Sequence, residues 1–190
     1  MRDLFLLLLF ISNISYCQRN FFENVCTHNF NENLKTKSSN IKYFVPCDWE
    51  EEKELVMPDL LKLFKFSLDK NTGLILTIGI KELNVSLSNE ELNSIYTEDF
   101  YRNTASKWGE HLSGRKYKID NRYVAEITFD TQTNNPTTHL RTIILYISCS
   151  TKLAFLSFIV KSNSGSVTNS IFNQYQPLFI YLFAKTKVQI

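Results

Sequence analysis

Two apolar runs, residues 141–148 (RTIILYIS) and 153–160 (LAFLSFIV), are separated by little more than Ser150, Thr151 and Lys152. Each is short, rich in β-branched and aromatic residues, and apolar at odd and even positions alike, which reads as a strand rather than a helix. A strand that is apolar on both faces needs cover on both. The runs are therefore predicted to be neighbouring central strands of a sheet with helices on each side.

The remaining strands show a wetter pattern. Residues 41–46 (IKYFVP) predict a short strand closed by Pro46, because the residue before a proline is pushed to extended angles. An acidic, loop-like stretch follows at 47–61 (CDWEEEKELVMPDLL). Phe64, Phe66 and Leu68 alternate with Lys65 and Ser67, and Leu74, Leu76, Ile78 and Ile80 share one face. Between them Asn71-Thr72-Gly73 is a turn signal, so the two runs predict a hairpin. A second hairpin is predicted from residues 116–119 and 122–129 across Asp120 and Asn121, which tolerate positive backbone angles. There Tyr123, Ala125, Ile127 and Phe129 face one way and Val124, Glu126 and Thr128 the other. Residues 131–139 (TQTNNPTTH) read as a loop.

Two helices supply the covers. Ser88 with Glu91 forms a capping box. Leu92, Tyr96, Phe100, Thr104 and Trp108, joined by Ile95, make one inward stripe, and Gly109 suits a left-handed stop. Residues 167–184 place Val167, Ile171, Tyr175, Leu178, Phe179 and Leu182 on one side, with a kink expected at Pro177. The fold class predicted is α+β: an antiparallel β-sheet covered by helices on both faces, an α/β/α sandwich, within one domain at 41–190.

Residues 1–11 (MRDLFLLLLFI) have one arginine ahead of an apolar run too short to span a bilayer, and polar residues follow, the layout of an export signal. A cut before Gln18 would remove residues 1–17 as a signal peptide. A rival cut before Cys17 would leave a lipidated cysteine and an outer-membrane lipoprotein, against which the bulk of Tyr16 stands. The Asn-, Lys- and Ser-rich stretch at 18–40 reads as a flexible leader. Export to the periplasm or cell envelope favours disulfides. Cys26 and Cys47 flank a polar segment and are the expected pair, with Cys149 left as a small core residue.

With 44% hydrophobic and 21% charged residues the body should fold, and a net charge of +2 with scattered lysines disfavours nucleic acid as a partner. Aromatic residues make up 14%, read mainly as core. No catalytic or metal-binding signature is present. His28, His111 and His139 fall in polar stretches away from ligand spacing and read as solvated. The run Asp48, Glu50, Glu51 and Glu52 lacks the alternation of a calcium loop. Ser113-Gly114-Arg115 lacks the flanking glycine of a nucleophile elbow. No cofactor and no metal is expected.

The order of elements, with VPCDW at 45–49, KYKIDNRYVAEITF at 116–129 and FNQYQPLFIYLF at 172–183, resembles one superfamily. It joins PsbP-like photosystem proteins, the Ran-binding nuclear-import factor fold, DcrB-like envelope proteins and type VI effector chaperones. Asn121 stands where many relatives have glycine. The resemblance spans about residues 41–185 and implies an antiparallel sheet between helices, with a non-enzymatic role in binding another macromolecule. A protein partner is accordingly expected, with an immunity or chaperone role toward a toxin, or a hydrolase with a dispersed site, as rivals. The rings expected to stand exposed beside charges, and so to make contacts, are Trp49, Tyr101, Trp108 and Tyr123, with Arg115 and Arg122 as neighbours.

Overall fold

The computed structural model describes residues 24–32, 39–53, 60–83, 85–119, 121–134, 137–149 and 152–189. The expected export signal, Cys17, most of the expected leader and the side chain of Cys149 lie outside the described residues. Those described form an α+β fold, mostly antiparallel sheet with three helices.

The larger sheet contains β3 (Glu50–Glu51), β4 (Leu60–Ser67), β5 (Gly73–Glu82), β6 (Glu110–Ile119), β7 (Arg122–Asn134), β8 (Thr137–Cys149) and β9 (Lys152–Ser162), in the order β3-β4-β5-β9-β8-β7-β6. The two apolar runs are β8 and β9, and β9 sits in the middle of the order. Asn121 turns β6 into β7 with φ of 64°, the left-handed conformation that its short amide side chain tolerates. The expected loop at 131–139 is corrected. Strand β7 runs to Asn134 and β8 starts at Thr137, paired throughout by Thr131↔Leu140, Gln132↔His139 and Thr133↔Thr138. Threonine-rich polar sequence still fits a pleated strand, which is why the composition misleads.

A smaller sheet has the order β1-β2-β10, from β1 (Val25–Glu32), β2 (Ser39–Pro46) and β10 (Lys187–Gln189). The leader expected up to residue 40 is therefore corrected for 25–32, which pair with β2 from Val25↔Pro46 to Glu32↔Ser39. A disulfide joins Cys26 to Cys47, whose Cα atoms are 4.9 Å apart, and ties β1 to the turn after β2.

Two hydrophobic clusters hold the fold. In the first, α3 (Gly165–Lys185) sets Phe172, Tyr175, Leu178, Phe179, Leu182 and Phe183 against Leu74, Leu76 and Ile78, Ile143 and Leu145, Phe158 and Val160, and Ile41, Tyr43 and Val45. Phe158 stacks on Phe179 with centroids 5.5 Å apart and planes at 17°. In the second, α1 (Asn89–Ile95) and α2 (Glu98–Ala105) set Leu92, Tyr96, Tyr101 and Ala105 against Ala125, Ile127 and Phe129.

Both helical stripes differ from expectation. The single helix predicted through Trp108 is two, because the Thr97 hydroxyl accepts the Phe100 amide and caps a new start. That break shifts the phase, so Tyr101 and Ala105 turn inward, while Trp108 stands exposed in the turn beyond the end of α2. The capping box at Ser88 is formed from both sides: Ser88 Oγ accepts the Glu91 amide at 3.2 Å and Glu91 Oε2 accepts the Ser88 amide at 2.7 Å. In α3, Thr168 and Phe172 are buried whereas Val167 is 39% exposed, and the helix continues through Pro177. Gly109 has no positive φ. It is required because a Cβ there would lie 2.0 Å from the Asp130 carbonyl oxygen.

Candidate functional site

After α2 the chain turns sharply into β6, and four contacts hold the turn. The amides of Trp108 and Gly109 both reach the Ala105 carbonyl, at 2.9 and 2.8 Å. Thr131 Oγ1 donates to the Trp108 carbonyl at 2.7 Å. Gly109 lies flat against the backbone of Asp130, an approach only glycine permits. The indole of Trp108 is thereby presented on a hydrogen-bonded corner, 60% exposed.

Beside it opens a cleft of about 390 Å³, walled by Trp108, Glu110, Asp130, Gln132, His139 and Thr168. Two of these are committed elsewhere. Asp130 takes a forked pair of hydrogen bonds from Arg141, at 2.7 Å from Nε and 2.6 Å from the terminal nitrogen. The carboxylate holds the guanidinium above its ordinary pKa, and Arg141 also bonds Asn169 of α3 and lies over the Phe172 ring. Thr168 Oγ1 donates to the Ser164 carbonyl at 2.9 Å. Glu110 and Gln132 remain exposed, and His139 is half-buried with its ring against Gly165. A wider hollow of about 630 Å³ lies among Glu98, Arg102, Ser106 and His111.

The expected contact residues separate. Trp49 is corrected from surface to core, 7% exposed and stacked on Phe66 at 6.0 Å, with its Nε1 buried and unpartnered. Tyr101 is likewise corrected. It is 5% exposed, covers Gly114, donates to the Tyr96 carbonyl at 3.2 Å, and burial raises its pKa. Neither ring could be placed from sequence, because each is buried by segments remote in the chain. Arg115, Arg122 and Tyr123 share the β6–β7 hairpin. Arg115 forks onto Glu126, with both contacts at 2.9 Å; Glu126 is buried, and the bond raises the arginine's pKa. Lys118 sits 4.6 Å over the Tyr123 ring. Trp108 stands at the opposite end of β6.

The histidines are not simply solvated either, since all three lie in strands. His28 stacks on Tyr43 at 5.3 Å, and His111 is half-buried with Nε2 unpartnered. Sequence reasoning missed Glu110, Gln132 and His139 as neighbours of Trp108. The threonine alternation of 131–138 is the signal that extends both strands and brings them there. Among the described residues no group of three His, Cys, Asp or Glu side chains could hold a metal ion. Nor is any helix among them long and apolar enough to cross a membrane.

Neither a protein-family model nor a curated protein matches the chain. Solved structures do. The chain is similar to LpqN of Mycobacterium tuberculosis, a protein involved in cell envelope biogenesis, at 9% identity and a TM-score of 0.51, over 90% of this chain and 95% of LpqN. It also matches PA94 of Pseudomonas aeruginosa, described as a protein of unknown function and putative regulator, at 9% identity and a TM-score of 0.45, over 84% and 94% of the two chains. At this identity the likeness to LpqN is one of fold.

Proposed function

We propose that this chain is an exported, non-enzymatic binding protein of the cell envelope that recognises a protein partner along the β6 edge. One observation carries the reading: β6 ends the strand order and bears exposed Arg115, Lys116 and Lys118, continued by Arg122 and Tyr123 at the hairpin. A sheet edge accepts an added strand, and lysines there discourage self-pairing, so the fitting partner is an extended acidic segment. The expected fold supports this, because the wider superfamily of PsbP-like proteins binds macromolecules. In our reading helices cover both faces of the sheet: Val124 joins the cluster under α3, while Ala125, Ile127 and Phe129 join the one under α1 and α2. With both faces occupied, an edge is the natural surface for a partner.

Export is supported by the apolar run at 1–11 and by the Cys26–Cys47 disulfide, which suits an oxidising compartment. LpqN's part in envelope biogenesis supports the location. Cys17 would give a lipid anchor if the cut falls before it. The test is affinity capture from native envelope with the wild-type chain and with a Lys116→Glu, Lys118→Glu, Arg122→Glu variant. The expected result is one partner recovered by the wild type and lost with the variant. Equal recovery by both, or by neither, sinks the reading.

A further inference from the structure

The geometry points to the cleft beside Trp108 as a binding site for a neutral saccharide, a mono- or disaccharide whose apolar ring face stacks on the indole. An exposed indole on a fixed stretch of backbone offers a flat apolar face to a ligand, and a tryptophan supplies roughly 150–250 Å² of contact area. Here the ring's backbone is pinned by Thr131 and by the close approach of Gly109 to Asp130, so the backbone needs little ordering on binding. The volume of about 390 Å³ falls in the range of small-ligand pockets.

The charges select the ligand class. Asp130 is neutralised in place by the Arg141 fork, leaving the Glu110 carboxylate, the Gln132 carboxamide and the His139 imidazole around the rim. An anion would face the Glu110 carboxylate. A cation would meet that carboxylate but also the positive end of α3, which begins at Gly165. Each sign of charge therefore meets a like charge as well as an opposite one. Carboxylate, amide and imidazole groups do accept from and donate to hydroxyls, and they stand around an aromatic platform. A pyranose presents that combination, with a C–H face for the indole and hydroxyls at its perimeter.

The chain has two tryptophans, so an isotope-labelled sample shows two indole N–H signals, and Trp108 is assigned by its loss in Trp108→Ala. Glucose, galactose, N-acetylglucosamine and cellobiose serve as probes, with choline and inorganic phosphate as charged controls. The expected result is a saturable shift of the Trp108 signal with at least one sugar and none with either control, the Trp49 signal staying put. Calorimetry with that sugar is expected to show affinity about tenfold weaker or worse in Trp108→Ala and reduced in Gln132→Ala. Both variants change exposed residues and should keep the wild-type melting temperature. No saturable shift with any of the four sugars overturns the proposal, as does an unchanged affinity in Trp108→Ala or saturable binding of choline or phosphate instead. Sugar binding unchanged in the Lys116→Glu, Lys118→Glu, Arg122→Glu variant is expected, which keeps this test separate from that of the β6 edge.

Discussion

The two hydrophobic clusters are built from different chemistry. Under α3 the rings are mainly phenyl, with Phe158, Phe172, Phe179 and Phe183 packed in contact and without a polar atom needing a partner. Under α1 and α2 they are mainly tyrosyl, and burial raises the pKa of Tyr96, Tyr101 and Tyr146 alike. The Tyr96 hydroxyl is buried with no partner, as are Trp49 Nε1 and the Tyr117 hydroxyl on the α3 side. A long helix over phenyl rings is the arrangement that stabilises a sheet. Two short helices over tyrosines hold less apolar surface, and the turn that follows them is what carries Trp108 outward. The contrast separates the part of the molecule that makes the fold firm from the part that shapes its surface.

Truncation should expose the difference most strongly. Phe179→Ala removes a ring that is 1% exposed and stacked on Phe158, and is expected to cost about 3–5 kcal/mol in urea unfolding. A loss under 1.5 kcal/mol would break the assignment of the α3 cluster as the stabilising one. Reducing the Cys26–Cys47 bond, which closes a separation of 21 residues, should cost about 3 kcal/mol by the same measurement with and without reductant. An unchanged midpoint would mean that the smaller sheet adds little to the α3 side.

Changes on the tyrosyl side should be smaller. Gly114→Ala would put a methyl 2.2 Å from the Tyr101 ring, and displacing that ring is expected to cost about 1–3 kcal/mol. Tyr96→Phe removes a hydroxyl that makes no hydrogen bond and should leave stability within about 1 kcal/mol of wild type at pH 7. Alkali sharpens that pair. Tyr96, Tyr101 and Tyr146 have folded-state pKa values above the ordinary 10.0, so their contribution is complete below pH 10 and is lost as pH rises through the raised values. Melting curves at pH 9 and pH 11 should therefore fall less steeply for Tyr96→Phe than for the wild type.

Much of this architecture was legible. The capping box at Ser88, the turn at Asn121 and the alternation in β4, β5 and β7 are local patterns, set by hydrogen bonds and side-chain direction within a few residues. The break at Thr97 was present as a capping residue but was outweighed by the fourfold apolar spacing, which predicts one helix and so buries the wrong face. Of the candidate site, Trp108 was named, while Glu110, Gln132 and His139 were not. They meet only because β7 and β8 extend through polar sequence that reads as a loop.

By itself, then, the sequence determined the α+β class, the central position of the two apolar strands and the hairpin turns, because periodicity and turn chemistry are properties of neighbouring residues. Only the tertiary structure decided which indole is buried. Trp49 is covered by Phe66 of β4, and Trp108 is left bare on the turn between α2 and β6. Burial is a sum over contacts from distant segments, and no spacing within one segment carries that sum.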